Sequence, residues 1–213
     1  MNNDKKSILS TVLFFGAVWG FLEATLGYLL HWTPDWISGS VMFPIGAFLV
    51  IRAYLKTGSR KAALLVGVVA AGIKAFDFLL PLPPQGPIRI FVPMYCILIE
   101  AAVAVLVIPL LDKNRAGSRW WALPVASTAW RLGYVALIWI RNGSVPVLIA
   151  TPEAFLSFFG TVNAVSSVLA LALHELNRGW AKSWDWKWTR RPVFASLALL
   201  VSVAVSMLFA FYL

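Results

Sequence analysis

The chain has 213 residues, of which 60% are hydrophobic and 13% charged, with a mean hydropathy of +0.79. Soluble domains carry about a quarter charged residues, so this composition excludes a water-soluble globular protein and indicates one that lives in a membrane. The formal charge of +9 has no aromatic-interleaved basic groove behind it, which argues against nucleic acid as a partner, and the single cysteine, Cys96, excludes a disulfide framework or a cysteine-rich metal centre.

A spanning helix needs about 20 mainly apolar residues, and seven such stretches follow one another: 7–31, 38–56, 61–81, 88–111, 120–141, 152–175 and 192–213. The first lies behind Lys5 and Lys6 like a secretory signal. It is too long for one and lacks a small-residue cleavage site, so it reads as a retained helix. Thr33-Pro34-Asp35 before the second helix and Thr151-Pro152-Glu153 before the sixth put a capping hydroxyl ahead of a proline and an acid, a helix-start signal. The link PLPPQGP at 81–87 holds four prolines and predicts a stiff non-helical connection, either a lid over what lies beneath or a plain turn. Residues 179–191 place Trp180, Trp184 and Trp188 four apart. If helical, they share a face with Lys182, Lys187 and Arg191 directed elsewhere, which describes an interfacial Trp/basic cytoplasmic segment or a docking surface for a partner.

Fourteen of the 18 Lys and Arg sit at the N-terminus and in alternate links. Lys5 and Lys6 are followed by Arg52 to Lys61, Lys113 to Arg119, and Arg178 to Arg191. This places the N-terminus in the cytoplasm and the C-terminus outside. The fold expectation is therefore an all-α polytopic bundle of seven transmembrane helices, a six-helix core plus a C-terminal helix. Residues 1–213 form a single integral domain of the cell (inner) membrane, with the lipid bilayer as first partner and anionic lipid drawing the basic links.

Seven polar side chains lie inside the apolar stretches: Glu23, Lys74, Asp77, Arg89, Glu100, Arg131 and Asn163. Ionisable groups at such depth face protein or water, and their default reading is functional. Gly16, Gly20, Glu23 and Gly27 share one helical stripe, as do Gly67, Ala70, Lys74 and Asp77. Small residues at this spacing mark close helix contact, so the charges point into the bundle. Orientation puts Glu100, Arg131 and Asn163 near mid-bilayer and Glu23, Lys74 and Asp77 in the outer half under Arg89, while the cytoplasmic half is nearly all apolar. A polar pocket open to the outer face is expected, and a continuous channel is not. Lys74 and Asp77, three apart, are neighbours that neutralise one another. The competing account makes all these groups packing ion pairs between helices.

Chemistry with a recognisable signature is missing. His174-Glu175 opens like a zinc-protease motif, but Arg178 stands at the second histidine position and His31 belongs to the opposite side, so no metal ligands are assigned. His174 reads instead as a helix-end residue near the headgroups. No P-loop, nucleophile elbow or Ser/His/Asp set is present, so no catalytic residue and no cofactor are assigned.

A small, almost loop-free bundle with a polar pocket near one face, and small-residue stripes on helices one and three, is similar to the substrate-binding membrane subunits of energy-coupling-factor vitamin transporters. The similarity extends loosely over residues 7–175. The seventh helix departs from that family's six-helix pattern with both termini cytoplasmic. The resemblance implies capture of a vitamin-like solute from outside, with coupling subunits supplying ATP hydrolysis. The leading expectation is a small-solute binding or uptake protein, with the seven polar residues lining its site. On that expectation, neutralising Glu100 or Arg131 abolishes binding and leaves the protein extractable. Alternatives are an integral-membrane enzyme acting on a lipid-linked substrate, using carboxylates and arginine, and an accessory subunit of a membrane complex.

Overall fold

A computed structural model describes residues 3–30, 35–81, 86–112, 117–183 and 187–212. Helix α1 comprises Asn3–Leu22, a π-helical stretch Glu23–Gly27 and a last turn Tyr28–Leu30. Helix α2 is Asp35–Thr57, and α3 is Arg60–Ala75, ending in the 3-10 turn Phe76–Leu79. Helices α4 and α5 are Ile88–Asp112 and Ser118–Asn142. Helix α6 joins Pro152–Phe155, π-helical Leu156–Val162 and Asn163–Ser183, and α7 is Pro192–Tyr212. All seven are long and apolar enough to cross a membrane, and no strand occurs among the described residues. The chain is an all-α polytopic bundle.

Local chemistry sets the helix ends. Ser59 caps α3 by accepting the Ala62 N–H at 3.2 Å, and Thr151 caps α6 by accepting that of Ala154 at 3.2 Å, with Pro152 in the first turn as the Thr-Pro-Glu signal predicts. Helix α5 stops at Gly143, whose φ of +64° suits a residue without a Cβ and lets its N–H reach the Trp139 carbonyl at 2.9 Å. Of the earlier Thr33-Pro34-Asp35 signal, Thr33 and Pro34 lie outside the described residues, as do His31 and residues 82–85 of the proline-rich link.

Helix α1 packs along α3 and α7, while α4 fills the space between α3 and α5, and α2 lies against α6. The glycine stripes explain how closely. A Cβ on Gly16 would stand 2.6 Å from Val69 Cβ, and one on Gly20 2.6 Å from Ile73 Cδ1, both on α3. Gly67 on α3 faces Ala101 on α4 with no room for a methyl between them.

The half of the bundle nearest the N-terminus departs from expectation. Arg52, counted with the basic link, is buried inside α2. Its Nη1 donates to the Asn177 Oδ1 and carbonyl oxygens at 3.3 and 3.4 Å, and Asn177 Nδ2 donates to the Phe48 carbonyl at 3.3 Å. Lys56 Nζ donates to the buried Thr189 at 3.1 Å. This half therefore carries a polar clamp rather than a purely apolar wall. Its cause is the length of α6, which runs to Ser183 and brings Asn177 inside the bundle. The same extension buries His174, which is not at a helix end. Of the Trp/basic segment 179–191, residues 179–183 complete α6 and Lys187–Arg190 form a 3-10 turn. Trp184 and the side chains of Trp180 and Trp188 lie outside the described residues, so the three-Trp face does too.

Candidate functional site

The site begins with where polar groups interrupt regular helix. Two stretches of α1 and α6 widen into π-helix, at Glu23–Gly27 and Leu156–Val162, a distortion found often at functional sites because it re-aims side chains and loosens the backbone ladder. Glu23 opens the first. The second presents Phe158 and ends at Val162, whose carbonyl turns to a side chain of another helix.

These segments border a cavity of about 610 Å³. Its wall includes Glu23 of α1, Lys74 and Asp77 of α3, Arg89 and Glu100 of α4, and Arg131 of α5. Six of the seven sequence-predicted residues thus meet in one space. The seventh, Asn163, is not in the wall but stands behind it, bonded to Arg131. Its lining also includes Gly27 of α1, Gly39 of α2 and Asn142 of α5, with Pro81 and Pro146 of the links that follow α3 and α5. The cavity therefore belongs to the end of the bundle opposite the N-terminus.

Three of the charges are tied to protein. Lys74 Nζ lies 2.6 Å from Asp77 Oδ2, the i,i+3 pair expected from spacing. Asp77, 3% exposed, also accepts a hydrogen bond of 2.8 Å from Ser206 Oγ of α7. Arg131 is wholly buried at 0%. Its Nη1 donates to Ser127 Oγ at 2.7 Å, to the Ser127 carbonyl at 3.0 Å and to Asn163 Oδ1 at 3.2 Å, and its Nη2 donates to the Val162 carbonyl at 3.3 Å. Asn163 is held in turn, its Nδ2 donating to Thr128 Oγ1 at 2.8 Å. The guanidinium lies 4.9 Å from the centre of the Trp130 ring and 5.6 Å from that of Phe158, cation–π contacts that offset part of its desolvation. Trp130 is itself stacked on Phe43, centroids 6.0 Å apart. Arg131 is thereby a clamp between α5 and α6 through its two Nη atoms, while its buried Nε has no hydrogen-bond partner among the described residues.

Glu23 and Glu100 are different. Glu100 is 4% exposed and lines the cavity, yet neither carboxylate has a hydrogen bond or an ion pair among the described residues. Both share the cavity wall with Cys96, one turn before Glu100 on α4. Between them the cavity carries acceptor capacity that the protein does not use.

Several wall residues escaped the sequence reading. Phe158, Tyr134 and Phe209 supply an aromatic surface, but in a chain this rich in aromatics they carry no distinguishing signal. Ser206 was findable, since Ser202 and Ser206 form a hydroxyl stripe in an otherwise apolar helix. Through Ser206, Phe209 and Ala210, α7 forms part of the cavity wall rather than an appendage to six helices. Replacing Ser206 by Ala is expected to remove the Asp77 bond and lower stability by roughly 1 kcal/mol. The check is the melting temperature of the protein in detergent, and an unchanged value would show that α7 is held by apolar contact alone.

Comparison with family models, curated proteins and solved structures gives no match to this chain.

Proposed function

We propose that the chain is a membrane-embedded protein that binds a small, vitamin-like solute and takes part in its uptake, with its pocket open to the outer face of the cell membrane. The observation that carries this reading is the cavity of about 610 Å³ whose wall four helices furnish with six ionisable side chains. Ligand sites are typically concave, roughly 300–1,000 Å³, mostly apolar and furnished with a few convergent polar groups. Ion pairs serving only to hold helices together need no such space beside them, and two of the carboxylates have no partner to hold. The distribution of Lys and Arg supports the orientation, with the N-terminus in the cytoplasm and the mouth outside. Coupling subunits that supply energy, as in the vitamin-transporter family to which the sequence pattern is similar, complete the proposal.

Native mass spectrometry of protein extracted in mild detergent tests it. Wild-type protein is expected to retain a small molecule that Glu100→Gln loses while melting at the same temperature. Wild-type protein carrying only lipid, or carrying a stable partner chain and no small molecule, would turn the assignment toward an accessory subunit.

A further inference from the structure

Of the charges around the cavity, the cations are the ones bonded to protein. Lys74 is paired with Asp77, and Arg131 has its bonds to Ser127, Asn163 and Val162. Arg89 at the mouth has an interaction of its own. What faces the space without a partner is acidic: Glu23 in the widened turn of α1 and Glu100 across from it on α4. Each feels one protein cation, Lys74 for Glu23 and Arg131 for Glu100, but neither touches it. A carboxyl group offers acceptor positions, about four when ionised, and leaving these empty inside a bundle is costly.

We infer that the solute held by this cavity is an organic cation, a protonated amine or amidine whose N–H donors bridge Glu23 and Glu100 and whose apolar or aromatic body lies against Tyr134, Phe158 and Phe209. The inference rests on the reading of the cavity as a solute site and specifies the class of solute. An anion would meet two carboxylates with the nearby cations already engaged. A lone metal ion fits poorly for two reasons. The space is far larger than one ion, and among the described residues no three His, Cys, Asp or Glu side chains are grouped to hold one. The aromatic wall suits a ring-bearing amine, because ring edges and faces pack against such a body while the charged end remains at the acids.

The test uses the purified full-length protein and two matched sets of probes: phenethylamine, phenethyl alcohol and phenylacetate, and tryptamine, tryptophol and indoleacetate. Binding is read by thermal shift for all six and, for the three phenyl probes, also by intrinsic tryptophan fluorescence, to which Trp130 in the cavity wall contributes. Each amine is expected to bind roughly tenfold or more tightly than its alcohol, with the acids weakest, since a charge-assisted bond contributes that much. Glu23→Gln and Glu100→Gln should each weaken the amines by a similar factor while the ligand-free proteins melt as wild type does. Acids or alcohols that bind as well as the amines overturn the cation assignment and leave the solute site standing. So do amines that bind both Gln variants as they bind wild type. Failure of all six probes overturns the assignment, and an empty wild-type protein in native mass spectrometry would then remove the solute site as well.

Discussion

Arg131→Met is expected to cost about 3 kcal/mol or more of stability, because two acceptors on α6 lose their donor inside the bundle. Asn163 Oδ1 and the Val162 carbonyl both depend on this guanidinium, which has no exposed surface. The methionine also removes the charge between Trp130 and Phe158 and leaves Glu100 without the cation that acts on it. Arg131→Lys keeps a charge but not the fork that reaches Ser127 and α6 together, so it should recover roughly half of the loss. Unfolding in detergent, followed by circular dichroism against added denaturant, measures both. If Arg131→Met unfolds like wild type, the α5–α6 clamp is not what holds these helices. This expectation differs from the one the sequence suggests, in which neutralising Arg131 removes ligand binding and spares the fold. The proposed binding role falls instead to Glu100, which lines the cavity and has no hydrogen-bond or ion-pair partner among the described residues.

Gly67→Ala is expected to destabilise the protein by about 2–3 kcal/mol, the upper part of the range for overpacking. The added methyl would overlap Ala101 Cβ, and both atoms are borne directly on helix backbones, so neither can rotate aside. Only a shift of α3 against α4 relieves the contact, and that shift moves Asp77 relative to Glu100 across the cavity. Ala101→Gly in the same protein restores the space and should recover most of the loss, although alone it destabilises slightly by opening a void. Melting temperatures of the two single variants and the double variant decide it. A double variant no better than Gly67→Ala would mean that the two helices are free to slide, and the close-packing account of the glycine stripe fails.

Much of the architecture follows from the order of residues. Hydropathy over windows of spanning length marks the seven helices because the bilayer imposes one length on every span, and Thr151-Pro152 starts α6 through contacts within four residues. The i,i+3 pair of Lys74 and Asp77 is equally local, as is the set of polar residues that must avoid lipid. What could not be read from spacing is which of those residues partner one another across helices. That is set by α6 continuing past the expected boundary, by the π-helical turns that re-aim Glu23 and free Val162, and by α7 folding back along α1 to deliver Ser206 to Asp77.

The sequence by itself determined that this is a seven-span membrane bundle with its charges turned inward, since the cost of ionised groups in hydrocarbon leaves them no other direction. Only the tertiary structure decided how those charges are divided: Lys74, Asp77 and Arg131 to the protein, Glu23 and Glu100 to an open space. Hydrogen-bond partners are chosen by distance in three dimensions, and Asp77 and Ser206, which bond one another, lie 129 residues apart along the chain.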